Sequence, residues 1–181
     1  MSELRLLVEA LDTNDTSLRT VYIRSADNIV ADYYSRIVRA REYQLDPGIF
    51  AEIESYWGAC SIDAFARAAS AMLPRYWAAS SGSEAEAIDA FAQDWEAEEL
   101  VWAHPPPSQL PQLVQLLHAR PRAAAVVCVP HWPGSQWFRE LMEMAIEMAT
   151  FPPGSFQRVA FDAPLLLESW GATIFLVQER R

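Results

Sequence analysis

The chain reads as an α/β domain built on a mostly parallel sheet, closed by a C-terminal antiparallel hairpin and preceded by an N-terminal helix-strand-helix arm. Three observations predict this. From Asp46 onward, short apolar stretches alternate with stretches of helical spacing, the order that builds parallel sheets. Residues 123–129 form a continuous apolar run between Arg122 and Pro130, as expected of a strand buried on both faces. Leu100, Val101, Trp102 and Ala103 make an apolar strand that runs straight into His104-Pro105-Pro106-Pro107. No strand continues there, because proline lacks the ladder N–H. A strand that stops at the edge of an α/β sheet aims the residues after it at a ligand.

The elements follow in order. Residues 2–11 carry Leu4, Leu7, Val8 and Leu11 at helical spacing, Thr13-Asn14-Asp15 turns the chain, and residues 18–23 alternate as a strand. Asp27 caps a helix with apolar positions Ile29, Val30, Tyr33, Tyr34, Ile37 and Val38; Arg36, Arg39 and Arg41 lie near its cation-favouring end. Residues 1–41 are thus an arm and residues 42–181 the main domain. There, Asp46-Pro47 starts a helix with Ile49, Phe50, Ile53, Tyr56 and Trp57 as its buried stripe, and Gly58 stops it. Residues 59–65 are a buried strand, and SSGSEAEA at 80–87 is a polar loop. Residues 109–118 form a helix presenting Leu110, Leu113, Val114 and Leu117. After the 123–129 strand, Pro130-His131-Trp132-Pro133-Gly134 leads into a helix over 135–149. Trp137, Phe138, Leu141, Met144, Ala145 and Met148 face inward on it, with methionine as adaptable core. Strands at 159–161 and 173–177 close the chain as the antiparallel pair.

Composition narrows the function. With 51% hydrophobic and 12% aromatic residues over 181 positions, the chain supports a folded core of one domain plus an arm. A net charge of -10 works against nucleic acid as a partner, since phosphate binding is driven by counterion release to a basic face. Cys60 and Cys128 fall in apolar runs and read as buried thiols of a reducing compartment. The start MSELRLLVEALDTND is acidic from the third residue and reads as no targeting peptide; no run approaches the ~18 apolar residues of a membrane span. A soluble, intracellular protein of unassigned compartment is expected. Of Trp77, Trp95, Trp102, Trp132, Trp137 and Trp170, most should close the core, while Trp132, on a loop, suits a protein interface.

Several motifs are similar to a known family. The corner His104-Pro105-Pro106-Pro107 resembles the Asn/Asp-Pro-Pro-aromatic motif of phage-type DNA adenine-N6 methyltransferases and the related region of retroelement polyproteins. Asp63-Ala64-Phe65-Ala66, Leu73-Pro74-Arg75-Tyr76, Ile88-Asp89-Ala90-Phe91 and Asp94-Trp95 match further segments of the same family, with Arg67 and Ser70 departing from it. The arm, VYIRSADNIVADYYSR, resembles the last strand and helix of retroelement ribonuclease H domains. The resemblance implies a three-layer Rossmann-like methyltransferase sandwich, with S-adenosylmethionine bordered by Asp63 and Phe65 and its adenosine touched by Asp89. It also implies that Asp32 matches a magnesium-binding carboxylate of the nuclease. The other acids of that site lie upstream of this chain's start, and a lone carboxylate builds no two-metal centre.

The corner departs from the family at both chemical positions. The side chain at the first must accept a hydrogen bond from the target amino group; His104 does so only in one tautomer. The aromatic ring at the last stacks on a flipped-out base, worth roughly 1–3 kcal/mol, and Pro107 has none. Asp63 either borders a cofactor or caps a strand end, and Asp89 either touches adenosine or is a solvated loop acid. His104 and His131, at the ends of neighbouring strands, are two metal ligands without a third, so no metal is expected. The reading that follows is a retroelement-derived, catalytically degenerate methyltransferase-like domain, a pseudoenzyme serving as a protein-binding or structural subunit, with no cofactor. The alternatives are a working S-adenosylmethionine-dependent adenine-N6 methyltransferase, or a polyprotein fragment without a function of its own.

Overall fold

A computed structural model of the chain describes residues 43–78, 84–158 and 171–179. The chain divides into two units between Ala40 and Arg41, and every described residue belongs to the second. The arm, with Asp32, therefore lies outside the described residues, as do the expected strand at 159–161 and Trp170.

The described chain is mixed α/β. A short strand, β1 (Tyr43–Leu45), leads into helix α1 (Pro47–Trp57), which starts and stops as its sequence dictates. The Asp46 carboxylate accepts from the N–H groups of Gly48 (2.8 Å) and Ile49 (3.2 Å), a cap worth about 1 kcal/mol. Gly58 ends the helix at φ 101°, where a side chain would be strained. Strands β2 (Ile62–Ala66), β3 (Tyr76–Ala78) and β4 (Ala87–Ile88) follow. Beyond two 3-10 turns come β5 (Val101–Ala103), helix α2 (Leu110–Ala119) and β6 (Ala125–Pro130). Helix α3 (Gln136–Met144) passes directly into β7 (Ala145–Phe151), and β8 (Phe156–Arg158) and β9 (Ala172–Val177) complete the set.

Seven strands form one sheet in the order β4-β3-β2-β5-β6-β9-β7, while β1 and β8 pair separately. The contacts from β4 through β6 are parallel. β9 lies antiparallel to both β6 and β7, so the C-terminal antiparallel element is the β7–β9 pair. Both faces of the sheet are covered. Val101, Ala103, Val127 and Phe175 pack with Leu113 and Val114 of α2 and Phe138 and Leu141 of α3. Trp102, Val126, Cys128 and Ile174 pack on the opposite side with Phe50 and Ile53 of α1 and with Leu45 and Phe156. The rings of Phe50 and Trp102 meet edge to face, 4.8 Å between centroids. Both thiols are buried; burial pushes the Cys60 thiol up to about 12 and raises Cys128 as well, which disfavours the reactive thiolate at both.

Four expectations need correction. The helix expected over 135–149 stops at Met144, and its second half is the edge strand β7, leaving Met148 50% exposed rather than inward-facing. Tyr56, placed in the buried stripe of α1, is 76% exposed. The strand expected at 59–65 begins at Ile62, with Cys60 buried just ahead of it. The loop expected at 80–87 ends in a strand, since Ala87 opens β4. At the far end of the sheet, Gly171 is needed for close approach: a Cβ there would stand 2.5 Å from the Phe151 carbonyl oxygen.

Candidate functional site

The parallel strands have two unlike edges. At their amino ends, Arg75 gathers the strand starts. Its guanidinium donates to Glu86 (2.7 Å from both Nε and Nη2) ahead of β4, to Glu98 (3.0 and 3.1 Å) ahead of β5, and to the carbonyl of Ser61 (3.4 Å) ahead of β2. The Ser61 hydroxyl also donates to Glu98 (2.9 Å). Every group there has a charged or backbone partner, the arrangement of a structural clamp.

The carboxyl edge carries the residues singled out from the sequence. Across β2 and β5 the register sets Asp63 beside Trp102 and Ile62 beside Val101, and the strand order changes direction between these two strands. In open α/β sheets the crevice at such a switch point receives ligands. His104 follows β5 directly, and His131 follows the neighbouring β6, as expected. Pro105 is buried, while Pro106 and Pro107 are exposed, and Pro107 begins a 3-10 turn that feeds α2.

His104 is partly buried, and its ring stacks on Phe156 of β8 with centroids 5.3 Å apart and planes 14° from parallel. Burial pushes its pKa down to about 4, so the imidazole is neutral at physiological pH. His131 is held differently. Its Nδ1 is 2.8 Å from the hydroxyl of Thr173 on β9, its backbone N–H donates to the Gly171 carbonyl, and its ring meets Phe138 edge-on. Among the described residues no group of three His, Cys, Asp or Glu is placed to hold a metal ion.

Asp63 and Phe65 do not converge. Between Asp63 and Ala66, β2 takes three steps while β3 takes two from Tyr76 to Ala78, a bulge with one extra residue. The bulge turns Phe65 toward the α2 side, where its ring meets Phe91 (5.3 Å) and Trp95 (6.2 Å). Asp63 stays on the other side, 2% exposed, and its carboxylate accepts from the N–H groups of Met72 (3.0 Å) and Phe65 (3.5 Å). Burial raises its pKa to about 6 against the lowering effect of these two hydrogen bonds. Asp63 therefore ties down the loop between β2 and β3. Its register neighbour Tyr76 has a buried hydroxyl with no hydrogen-bond partner among the described residues, a cost of about 1–3 kcal/mol.

Asp89 is exposed and sits at φ 60°, ψ 94°, the one described non-glycine residue with positive φ. Its carboxylate accepts from the Phe91 N–H (3.0 Å), its own N–H donates to the Ala78 carbonyl (2.9 Å), and its carbonyl accepts from Gln93 (3.1 Å). The turn so formed presents Phe91 to Phe65 and lets Trp95, fully buried, donate to the Ala90 carbonyl (2.7 Å).

Two features of the site have no clear sequence signal. Phe156 lies 52 positions beyond His104, in a turn-rich stretch with nothing to mark it as a ring partner. The β2 bulge contains no glycine that would announce it. Trp77, Trp95 and Trp102 are core residues, whereas Trp132 and Trp137 are partly buried with their rings 6.1 Å apart. Among the described residues no helix is long and apolar enough to cross a membrane. No known family model matches the chain, and no curated protein matches it.

Proposed function

We propose that the chain is a retroelement-derived, catalytically degenerate methyltransferase-like domain that serves as a protein-binding or structural subunit. Counting β2 as the first strand, the sheet from β4 to β6 runs 3-2-1-4-5, the order of doubly wound nucleotide-binding folds. This supports a Rossmann-like ancestry. The observation that carries the loss of activity is the corner itself. His104 is stacked on Phe156 and Pro107 is exposed and not aromatic, so the corner has neither the carboxamide acceptor nor the aromatic platform that adenine methylation uses.

The residues matched to cofactor positions do not fit S-adenosylmethionine as arranged here. Asp63 is enclosed and occupied by two backbone N–H groups, Phe65 is turned to the opposite face, and Asp89 caps a turn. The second reading, an active adenine-N6 methyltransferase, has two observations in its favour. His104 is neutral and retains one accepting ring nitrogen, and the buried hydroxyl of Tyr76, the register neighbour of Asp63, has no hydrogen-bond partner among the described residues.

Methyl transfer from S-adenosylmethionine to adenine in single-stranded and duplex DNA distinguishes the readings. The natural chain should transfer none, and activity from it would establish the second reading. The double substitution His104→Asn with Pro107→Tyr asks in addition whether the corner alone is missing.

A further inference from the structure

The two edges of the seven-stranded sheet differ. β4 closes one side with two residues, too few to template another strand. β7 closes the other with seven, and among the described residues no strand pairs with its outer side. A bulge lies at its start, between Ala145 and Glu147. Beyond it, Met148, Ala149, Thr150 and Phe151 hold neither the proline nor the charge by which proteins close an edge. Met148 on this strand and Met142 on α3 are each about half exposed, and methionine surfaces adapt to varied partners.

The charge around this edge is of nearly one sign. Glu143 of α3 and Glu147 of β7 stand against Arg139 as the sole basic residue between positions 136 and 151, while Glu140 lies 4.0 Å from His118 of α2. Glu147 accepts from the indole N–H of Trp57 (2.7 Å), which holds its carboxylate beside the strand. A second copy of the chain would bring these acids against their own counterparts on a molecule of net charge -10.

We infer that the outer edge of β7 takes an extended, basic segment of a partner protein as an eighth strand. Main-chain hydrogen bonds along Met148 to Phe151 supply affinity, Met148 and Met142 receive the apolar side chains, and Glu143 and Glu147 pair with the cationic ones. This specifies the protein-binding role proposed above and rests on it only for the existence of a partner.

The test uses the full chain and a short labelled peptide alternating arginine and valine, followed by fluorescence anisotropy. Two control peptides carry glutamate for arginine, or proline at every second place. The arginine peptide should bind at least about tenfold more tightly than either control, weaken with salt, and slow amide exchange at positions 148–151. Met148→Lys with Thr150→Lys, still folded by circular dichroism, should lower that affinity by about tenfold or more. Absence of binding, or binding unchanged in the lysine variant, overturns the inference. So does self-association abolished by the same substitutions, which would assign the edge to a second copy. None of these outcomes alters the methyl-transfer result, so failure here and failure of the proposed function are separable.

Discussion

The ring of His104 lies against the ring of Phe156, 5.3 Å between centroids and 14° from parallel, so the corner after β5 is fastened to a strand outside the main sheet. Burial at this corner disfavours the charged imidazole and keeps it neutral. Because its folded pKa is depressed, to about 4 from 6.5, the unfolded chain takes up this proton first on acidification. His104 therefore contributes stability that is present above pH 6.5 and is lost as the pH falls through about 4, by up to about 3 kcal/mol. NMR of the imidazole should show no titration between pH 7.5 and 5, and Phe156→Ala should return the midpoint toward 6.5. A midpoint near 6.5 in the natural chain would refute the packing described.

Asp63 works in the opposite direction. Its carboxyl is raised to about 6 from 3.8, so its stabilising contribution is present below pH 3.8 and is lost as the pH rises through about 6. Asp63→Asn stays neutral throughout. Its stability relative to the natural chain, from urea unfolding, should improve by about 2–3 kcal/mol between pH 4 and pH 7.5. Parallel stability curves would show that the carboxylate is not desolvated.

The Asp89 turn predicts an ordering of variants. Asp89→Asn keeps both the cap and tolerance of positive φ and should cost less than about 0.5 kcal/mol. Asp89→Ala loses the hydrogen bond to Phe91 and strains the backbone, at roughly 1–2 kcal/mol. Thermal melts of the two variants check this; equal stability would mean that Asp89 does not hold the turn.

Much of the framework was legible because single residues announced it. Asp46, Pro47 and Gly58 delimit α1, the proline run ends β5, and the uncharged run before Pro130 places β6 in a doubly covered sheet. The α3–β7 junction was not legible. Met144, Ala145 and Met148 continue the helical spacing of Trp137, Phe138 and Leu141, and only pairing with β9 overrides it. β3 and β4, of three and two residues, are too short to show any period. At the site, the corner and its two histidines could be placed from sequence, but the bulge that separates Asp63 from Phe65 could not. It depends on how β2 and β3 count against each other, and neither strand alone encodes that.

Isothermal titration with S-adenosylmethionine tests the central claim most directly, because it asks whether the crevice between β2 and β5 holds the nucleoside that the proposed ancestry implies. With Asp63 enclosed, Phe65 turned away and Asp89 used as a cap, the chain should give no binding heat at concentrations well above the micromolar range. Saturable micromolar binding, lost on substitution of Asp63, would contradict the degenerate-pocket account.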